Sequence, residues 1–394
     1  MNKDMMNTHT EKPTNVIAFA FLFIAFLTGI ASSFQQPTLS LFLTQEIQVS
    51  PVMMGYFYAL NAIIGIVLSQ ILAKYSDKLP DRRKVILFCC LLATLGCLIF
   101  AYNRNYYVLL IIGTALLGLG SASNPQSFAM AREYADSTGK DTVMFSTIMR
   151  TQISLAWIVG PPLSFSVALN WGFDWMYLIA ASAFLCSALI ATTLLPPIAR
   201  KKNLSSSRLQ APNTYRKSVA YLFTMIFLVF TCNSMYLINM PLYIIHALNL
   251  DPQLAGILMG TAAGLEIPIM ILGGYLTKYF SKKSLVFSAI LAGFIFYLGL
   301  LFVHHAWQLI VWQIFNAIFI GVMATLGMVY FQDLMPNQAG VATTLFSNAA
   351  KLSWVSGGIL AGLISQSWDY HGVFYLSLIA LTIAIYCLYK VRSV

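Results

Sequence analysis

The chain has 394 residues, 59% of them apolar and only 9% charged, with a net charge of +10. A soluble domain carries about 25% charged residues, so this composition excludes one and points to a protein that lives in lipid. The positive excess is not a nucleic-acid signature, because 20 of the 23 Lys and Arg sit at the termini and in alternate interhelical loops.

Twelve apolar runs are long enough to cross a hydrocarbon core of about 30 Å. They are residues 16–43, 52–73, 85–101, 107–130, 142–169 and 173–195, then 219–248, 253–277, 285–303, 307–331, 341–364 and 373–389. Polar residues precede the first run and no small-residue cleavage site follows it, so it reads as a retained helix rather than a signal peptide. Arg104 is the one cation in the opposite loops, and Arg150 and Lys351 lie inside runs. Cytoplasmic loops carry the excess of Lys and Arg, which places both termini in the cytoplasm. All six cysteines fall in predicted helices, so neither a disulfide framework nor a metal site is expected.

Residues 196–218 form the longest polar stretch, with Pro196, Pro197, Arg200, Lys201 and Lys202. This reads as a cytoplasmic linker between an N-terminal six-helix bundle, 1–195, and a C-terminal one, 219–394. The halves repeat at an offset of 201: Ser50-Pro51 with Gly55 matches Asp251-Pro252 with Gly256, and Phe145-Ser146 with Arg150 matches Phe346-Ser347 with Lys351. Pro37 and Pro241 match at an offset of 204. Each removes a backbone donor from its helix, which fits a packing kink and a gating hinge equally well. The expected class is an all-α membrane protein, twelve transmembrane helices in two pseudo-symmetric six-helix bundles. In repeat transporters the substrate site lies between the repeats near the midplane.

Three charges interrupt the apolar runs: Arg150, Glu266 and Lys351. Each costs roughly 2.5–3.5 kcal/mol to place at a membrane centre, so such residues face a cavity and have a task. No Gly-rich nucleotide loop and no Cys/His/Asp cluster with catalytic spacing is present, so neither ATP-driven transport nor an enzyme is expected.

The segment AKYSDKLPDRRK at 73–84 resembles the loop signature of the major facilitator superfamily, with Ala73 replacing its first glycine. Gly160-Pro161-Pro162 is similar to the helix 5 signature of proton-driven exporters. Along nearly its whole length the chain resembles the bacterial sugar efflux transporter family. The strings that carry this are QPTLSLFL at 36–43, AREYAD at 131–136, SLAW at 154–157, LMGTAAGLEIP at 258–268 and FQDLMP at 331–336. The resemblance implies the major facilitator fold and a monomeric exporter in the bacterial inner membrane. Such an exporter would carry sugars or glycosides of the glucose and lactose type, driven by proton entry, and no cofactor is expected.

The resemblance also lines the cavity with helices 1, 4, 7 and 10, helped by 2, 5, 8 and 11. Sugar hydroxyls need amide or hydroxyl partners, and the C–H face of a sugar ring needs an aromatic surface. The candidates are Gln35, Gln36, Asn61, Asn124, Gln126, Asn233, Tyr236, Asn239, Gln313 and Asn316, with Trp157 and Trp354. For any single amide, a hydrogen bond between helices is the competing account, at roughly 0.6 kcal/mol per contact. Glu266 is expected to carry the proton and to pair with Arg150 or Lys351, with a purely structural ion pair as the alternative. Asp77, Arg82, Arg83, Arg132, Glu133 and Asp333 are expected to latch an inner gate. A multidrug–proton antiporter would have an acid in helix 1, and none lies between 16 and 43. A membrane receptor or sensor would carry a soluble output domain, and the longest polar segment is too short for one.

Overall fold

The structure is a computed structural model that describes residues 14–76, 81–139, 142–197, 216–335 and 339–392. Backbone polar groups in lipid must be satisfied within their own segment, and all the long apolar runs are accordingly helical. In the first half these are α1 (Thr14–Gln45), α2 (Pro51–Ser76), α3 (Arg82–Tyr102), α4 (Tyr106–Thr138), α5 (Thr142–Trp171) and α6 (Phe173–Thr193). In the second they are α7 (Arg216–Ala247), α8 (Gln253–Leu276), α9 (Lys282–Leu300), α10 (Ala306–Leu334), α11 (Ala339–Ser367) and α12 (Gly372–Lys390).

Local chemistry fixes the helix starts. Asp81 caps α3 by accepting from the Arg83 N–H at 3.0 Å, and Ser281 caps α9 by accepting from the Ser284 N–H at 3.1 Å. Both helices therefore begin three residues before the apolar runs do. Gln48 (φ 56°) and Asn249 (φ 52°) hold the same left-handed turn before α2 and α8, at the repeat offset. α4 continues eight residues past its apolar run, and it is segmented, with a π turn at Leu109–Gly113 and a turn at Ser121 and Ala122. The two prolines behave differently. α1 stays helical through Pro37, whereas α7 passes into a π turn at Tyr243–Ala247 just after Pro241.

Each half packs as a bundle, α1 against α5 and α6 in the first, α7 against α11 and α12 in the second. The bundles meet chiefly along α2–α11 and α5–α8, two seams related by the repeat. Both seams are tight at the face opposite the termini. A Cβ on Gly55 would lie 2.6 Å from the Gly358 carbonyl oxygen. One on Gly256 would lie 2.7 Å from the Pro161 carbonyl oxygen, and one on Gly260 2.7 Å from that of Ile158. Further along the same helices, toward the termini face, a side chain at Gly65 or Gly264 would meet open space. The bundles are therefore closed at the far face and part toward the termini.

Candidate functional site

A cavity of about 270 Å³ lies in this opening, bounded by Gln36 of α1, Tyr58 and Asn61 of α2, Ser121 of α4, and Lys351 and Trp354 of α11. An adjoining space of about 210 Å³ reaches into the first bundle past Ser32, Gln35 and Phe57 to Tyr177, and shares Gln36 and Asn61. The Tyr177 hydroxyl there is buried with no hydrogen-bond partner among the described residues. On the far side the floor is aromatic. Tyr58 and Trp354 stack across the bundles at 6.5 Å and 18°, and with Trp157 they enclose a remnant void of about 10 Å³.

Helix geometry explains which polar residues reach the cavity. Residues four apart lie nearly one above another, but the stripe drifts by about 40° per step. On α1, Ser32 and Gln36 face the cavity. One step back, Thr28 has turned toward α4 and donates to Asn124 Oδ1 at 2.7 Å. One step on, Ser40 is buried. Gln35 lines the adjoining space while donating to the Ala31 carbonyl at 2.9 Å. Tyr58 and Ser121 were not among the sequence candidates. Tyr58 lies three residues before Asn61, so helical spacing would have found it.

The amides of the second bundle face inward instead. Tyr236, Gln313 and Asn316 form one buried network: Asn316 Nδ2 donates to Gln313 Oε1 at 3.1 Å, and Gln313 Nε2 donates to the Tyr236 hydroxyl at 3.1 Å. Asn239 donates to the Tyr370 carbonyl at 2.9 Å and accepts from Ser365 at 3.0 Å. Asn233 is half-buried and lines none of these three spaces. In the first bundle, Gln126 is buried and accepts from Arg82 Nη1 at 2.6 Å.

The three interior charges lie on α5, α8 and α11. Lys351 is exposed to the cavity. Arg150 is exposed on the α5 stripe that meets α8 at Ile158 and Pro161, about 12 Å further toward the termini by helical rise. Glu266 is half-buried on α8, its backbone packed against Gly321 of α10. No ion pair joins Glu266 to Arg150 or Lys351 among the described residues. The repeat places Glu266 opposite Gly65, and the packing agrees: Gly118 of α4 abuts Gly65 as Gly321 of α10 abuts Glu266. The second bundle thus carries an acid where the first has a glycine lining the cavity.

The expected gate residues lie at the termini face within single bundles. Arg82 pairs with Glu133 at 3.0 Å, and Lys282 pairs with Asp333, an equivalent contact at an offset of 200. Arg83 pairs with Asp81 at 2.8 Å, and its hydrogen bond holds the Asp81 carboxyl below the usual carboxylate range. Arg132 is exposed. Asp77 lies outside the described residues. Among the described residues no cluster of His, Cys, Asp and Glu is arranged to hold a metal.

The Major Facilitator Superfamily profile matches residues 21–306 and 222–394. The chain is 52% identical to sugar efflux transporter A of Dickeya chrysanthemi, covering 95% of each sequence. It is 47% identical to sugar efflux transporter B of Salmonella typhimurium over 97% of this chain and 98% of that one. It is 45% identical to sugar efflux transporter C of Escherichia coli over 98% and 99%. Among solved structures, the nucleoside transporter NupG aligns with a TM-score of 0.79 at 15% identity, over 95% of this chain and 100% of that one. A bacterial homologue of the lysosomal transporter Spinster, in an inward-facing and occupied conformation, aligns at 0.75 with 11% identity, over 95% of each. The chain belongs to the bacterial sugar efflux transporters of the Major Facilitator Superfamily.

Proposed function

We propose that this protein exports sugars or glycosides of the glucose and lactose type in exchange for protons. In this reading it is a monomer in the bacterial inner membrane with both termini cytoplasmic, and the cavity described above opens to the cytoplasm. The observation that carries the reading is the convergence of Gln36, Asn61, Lys351 and Trp354 on one inter-bundle cavity. Amide and ammonium groups suit sugar hydroxyls, and the Trp354 ring suits a sugar's C–H face. Each hydrogen bond adds about 1 kcal/mol net, so a few such contacts give the weak binding that release on the other side requires. The likeness to proteins named sugar efflux transporters supports the same cargo.

The proton site in this reading is Glu266. It is the one carboxylate in the interior of a predicted span, Asp174 standing in the first turn of α6, and it makes no ion pair with either cation in the state described. Exchange requires Glu266 to release its proton while the cavity faces the cytoplasm and to take up the next while it faces the far side. The approach of Arg150 or Lys351 in the cytoplasm-facing half of the cycle favours the ionised form and expels the proton; closure at the termini face withdraws that help and lets the far side reload it. Arg82–Glu133 and Lys282–Asp333 then serve as braces that keep the rim of each bundle rigid during rocking.

Counterflow of labelled glucose, lactose and an alkyl glucoside in proteoliposomes tests the cargo. Accumulation of at least one against unlabelled sugar is expected. Movement of apolar cations with no sugar counterflow would replace this reading with a multidrug antiporter.

A further inference from the structure

The rim of the second bundle on the termini face is both basic and aromatic. Where α8 turns into α9, Lys278 Nζ lies 5.3 Å from the centre of the Tyr275 ring, and the hydroxyls of Tyr275 and Tyr279 share a hydrogen bond at 3.0 Å. At the start of α9, Lys283 Nζ donates to the carbonyls of Tyr389 (3.0 Å) and Val391 (2.6 Å) at the end of α12, and sits 5.8 Å from the Tyr389 ring. Lys390 Nζ lies 5.6 Å from the Tyr386 ring. The rings are outside the protein core: Tyr279 is 66% exposed, Tyr386 57% and Tyr389 75%.

Charge balance separates this rim from its counterpart. After residue 216 the acids are Asp251, Glu266, Asp333 and Asp369. Asp251 and Asp369 precede α8 and α12 at the far face, Glu266 is mid-helix, and Asp333 is held by Lys282. Lys278, Lys283 and Lys390 therefore have rings and carbonyls for company but no carboxylate among the described residues. The rim of the first bundle mixes Asp81, Glu133 and Asp136 with its cations. An ammonium has three donors, and Lys283 directs two of them at carbonyls, which leaves the third for an outside acceptor.

We propose that this rim binds the headgroups of anionic glycerophospholipids. One lipid phosphate sits between Lys283 and Lys390 where the start of α9 meets the end of α12. A second sits against Lys278 at the α8–α9 turn, and the tyrosine rings lie at the level of the glycerol backbone, where amphipathic aromatics concentrate. Tyrosine and lysine at the end of a lipid-spanning helix face the interface, and a phosphate diester of fixed charge is the anion that lies there. Each lysine near a headgroup layer is worth about fivefold in affinity for anionic lipid.

The test is lipid retention by the purified full-length protein, equilibrated in equal phosphatidylglycerol and phosphatidylcholine and read by native mass spectrometry. The wild type is expected to keep phosphatidylglycerol selectively. The Lys278→Gln/Lys390→Gln variant should lose about 25-fold of that selectivity, and Lys283→Arg should keep it. Lys283 also ties α9 to α12, so Lys283→Gln could fail to fold; the double variant leaves that tie intact and decides the matter alone. Equal retention of both lipids by the wild type overturns the proposal, as does unchanged selectivity in the double variant. Release of the bound phosphatidylglycerol by inorganic phosphate at matched concentration would also overturn it, by making the rim a general anion site.

Discussion

The two bundles share a scaffold and differ in what they offer the cavity. In the first, Ser32, Gln35, Gln36 and Asn61 open onto it. In the second, the counterparts of Ser32, Gln35 and Gln36 at the helix 1–7 offset of 204 are Tyr236, Asn239 and Met240, and all three are buried. Conversely, the second bundle supplies Glu266 where the first has Gly65. The first bundle thus contributes most of the amides at the cavity, and the second contributes Lys351, Trp354 and the mid-helix acid. The halves correspond most directly at Gly55 and Gly256 and at the termini-face ion pairs.

The largest effect expected from breaking this comparison is at the acid. Glu266→Gln should reduce pH-gradient-driven sugar movement by 100-fold or more while sparing sugar exchange at equal pH. Driven transport at the wild-type rate would remove Glu266 as proton carrier. A parallel fall in exchange and driven transport would recast it as a sugar ligand.

The seams come next. Overpacking a close helix contact costs about 1–3 kcal/mol. Gly55→Val or Gly256→Val should therefore shift the population away from the far-face-closed state by roughly 5- to 150-fold. Far-face labelling of a cysteine placed near Trp354 should rise in both variants. Response in only one would show that a single seam carries the hinge.

The cargo residues should give smaller changes. Gln36→Ala and Asn61→Ala are each expected to weaken sugar affinity about five- to tenfold, the worth of one hydrogen bond. Asn239→Ala should instead lower the thermal midpoint with affinity unchanged, because both ends of that amide already bond to Tyr370 and Ser365. A loss of affinity in Asn239→Ala would mean that the second bundle also reaches the sugar during the cycle. The smallest effect belongs to the rim braces. Glu133→Gln and Asp333→Asn each remove a half-buried ion pair at the termini face, worth about 1 kcal/mol. Transport rates should fall less than about fivefold, and by similar amounts in the two variants.

Helix number and the internal repeat were legible in the sequence because each is a pattern along the chain, whereas only Ser32 and Gln36 of the polar α1 positions four apart face the cavity. Hydropathy reports lipid contact, and spacing by four reports a helix face. The fate of the second bundle's amides was not legible, because an amide that binds sugar and one that binds a neighbouring carbonyl have the same hydropathy and the same spacing. What separates them is the rotation of α7 against α11 and α12, which brings Asn239 to Ser365 and Tyr370. The polar extension of α4 and its π turn were hidden for a related reason, since apolarity marks the bilayer and not the end of the helix. The equivalence of Gly65 and Glu266 was present in the offset of 201, but it gained meaning only once Gly118 and Gly321 were seen packed against the two positions.

The repeat offsets also carry a history. They run 204 at Pro37 and Pro241, 201 at Gly55 and Gly256, 200 at the Arg82–Glu133 and Lys282–Asp333 pairs, and 201 again at Arg150 and Lys351. A single duplication followed by a few short insertions and deletions accounts for that sequence. The paired rim contacts, matched in both partners, then date from the ancestral half-length protein. The unmatched features, Glu266 opposite Gly65 and the buried counterparts of Ser32 and Gln36, came after the copies were joined. The seams and braces are thus the older layer of the structure, and the features on which the proposed exchange of cargo for proton rests are the newer one.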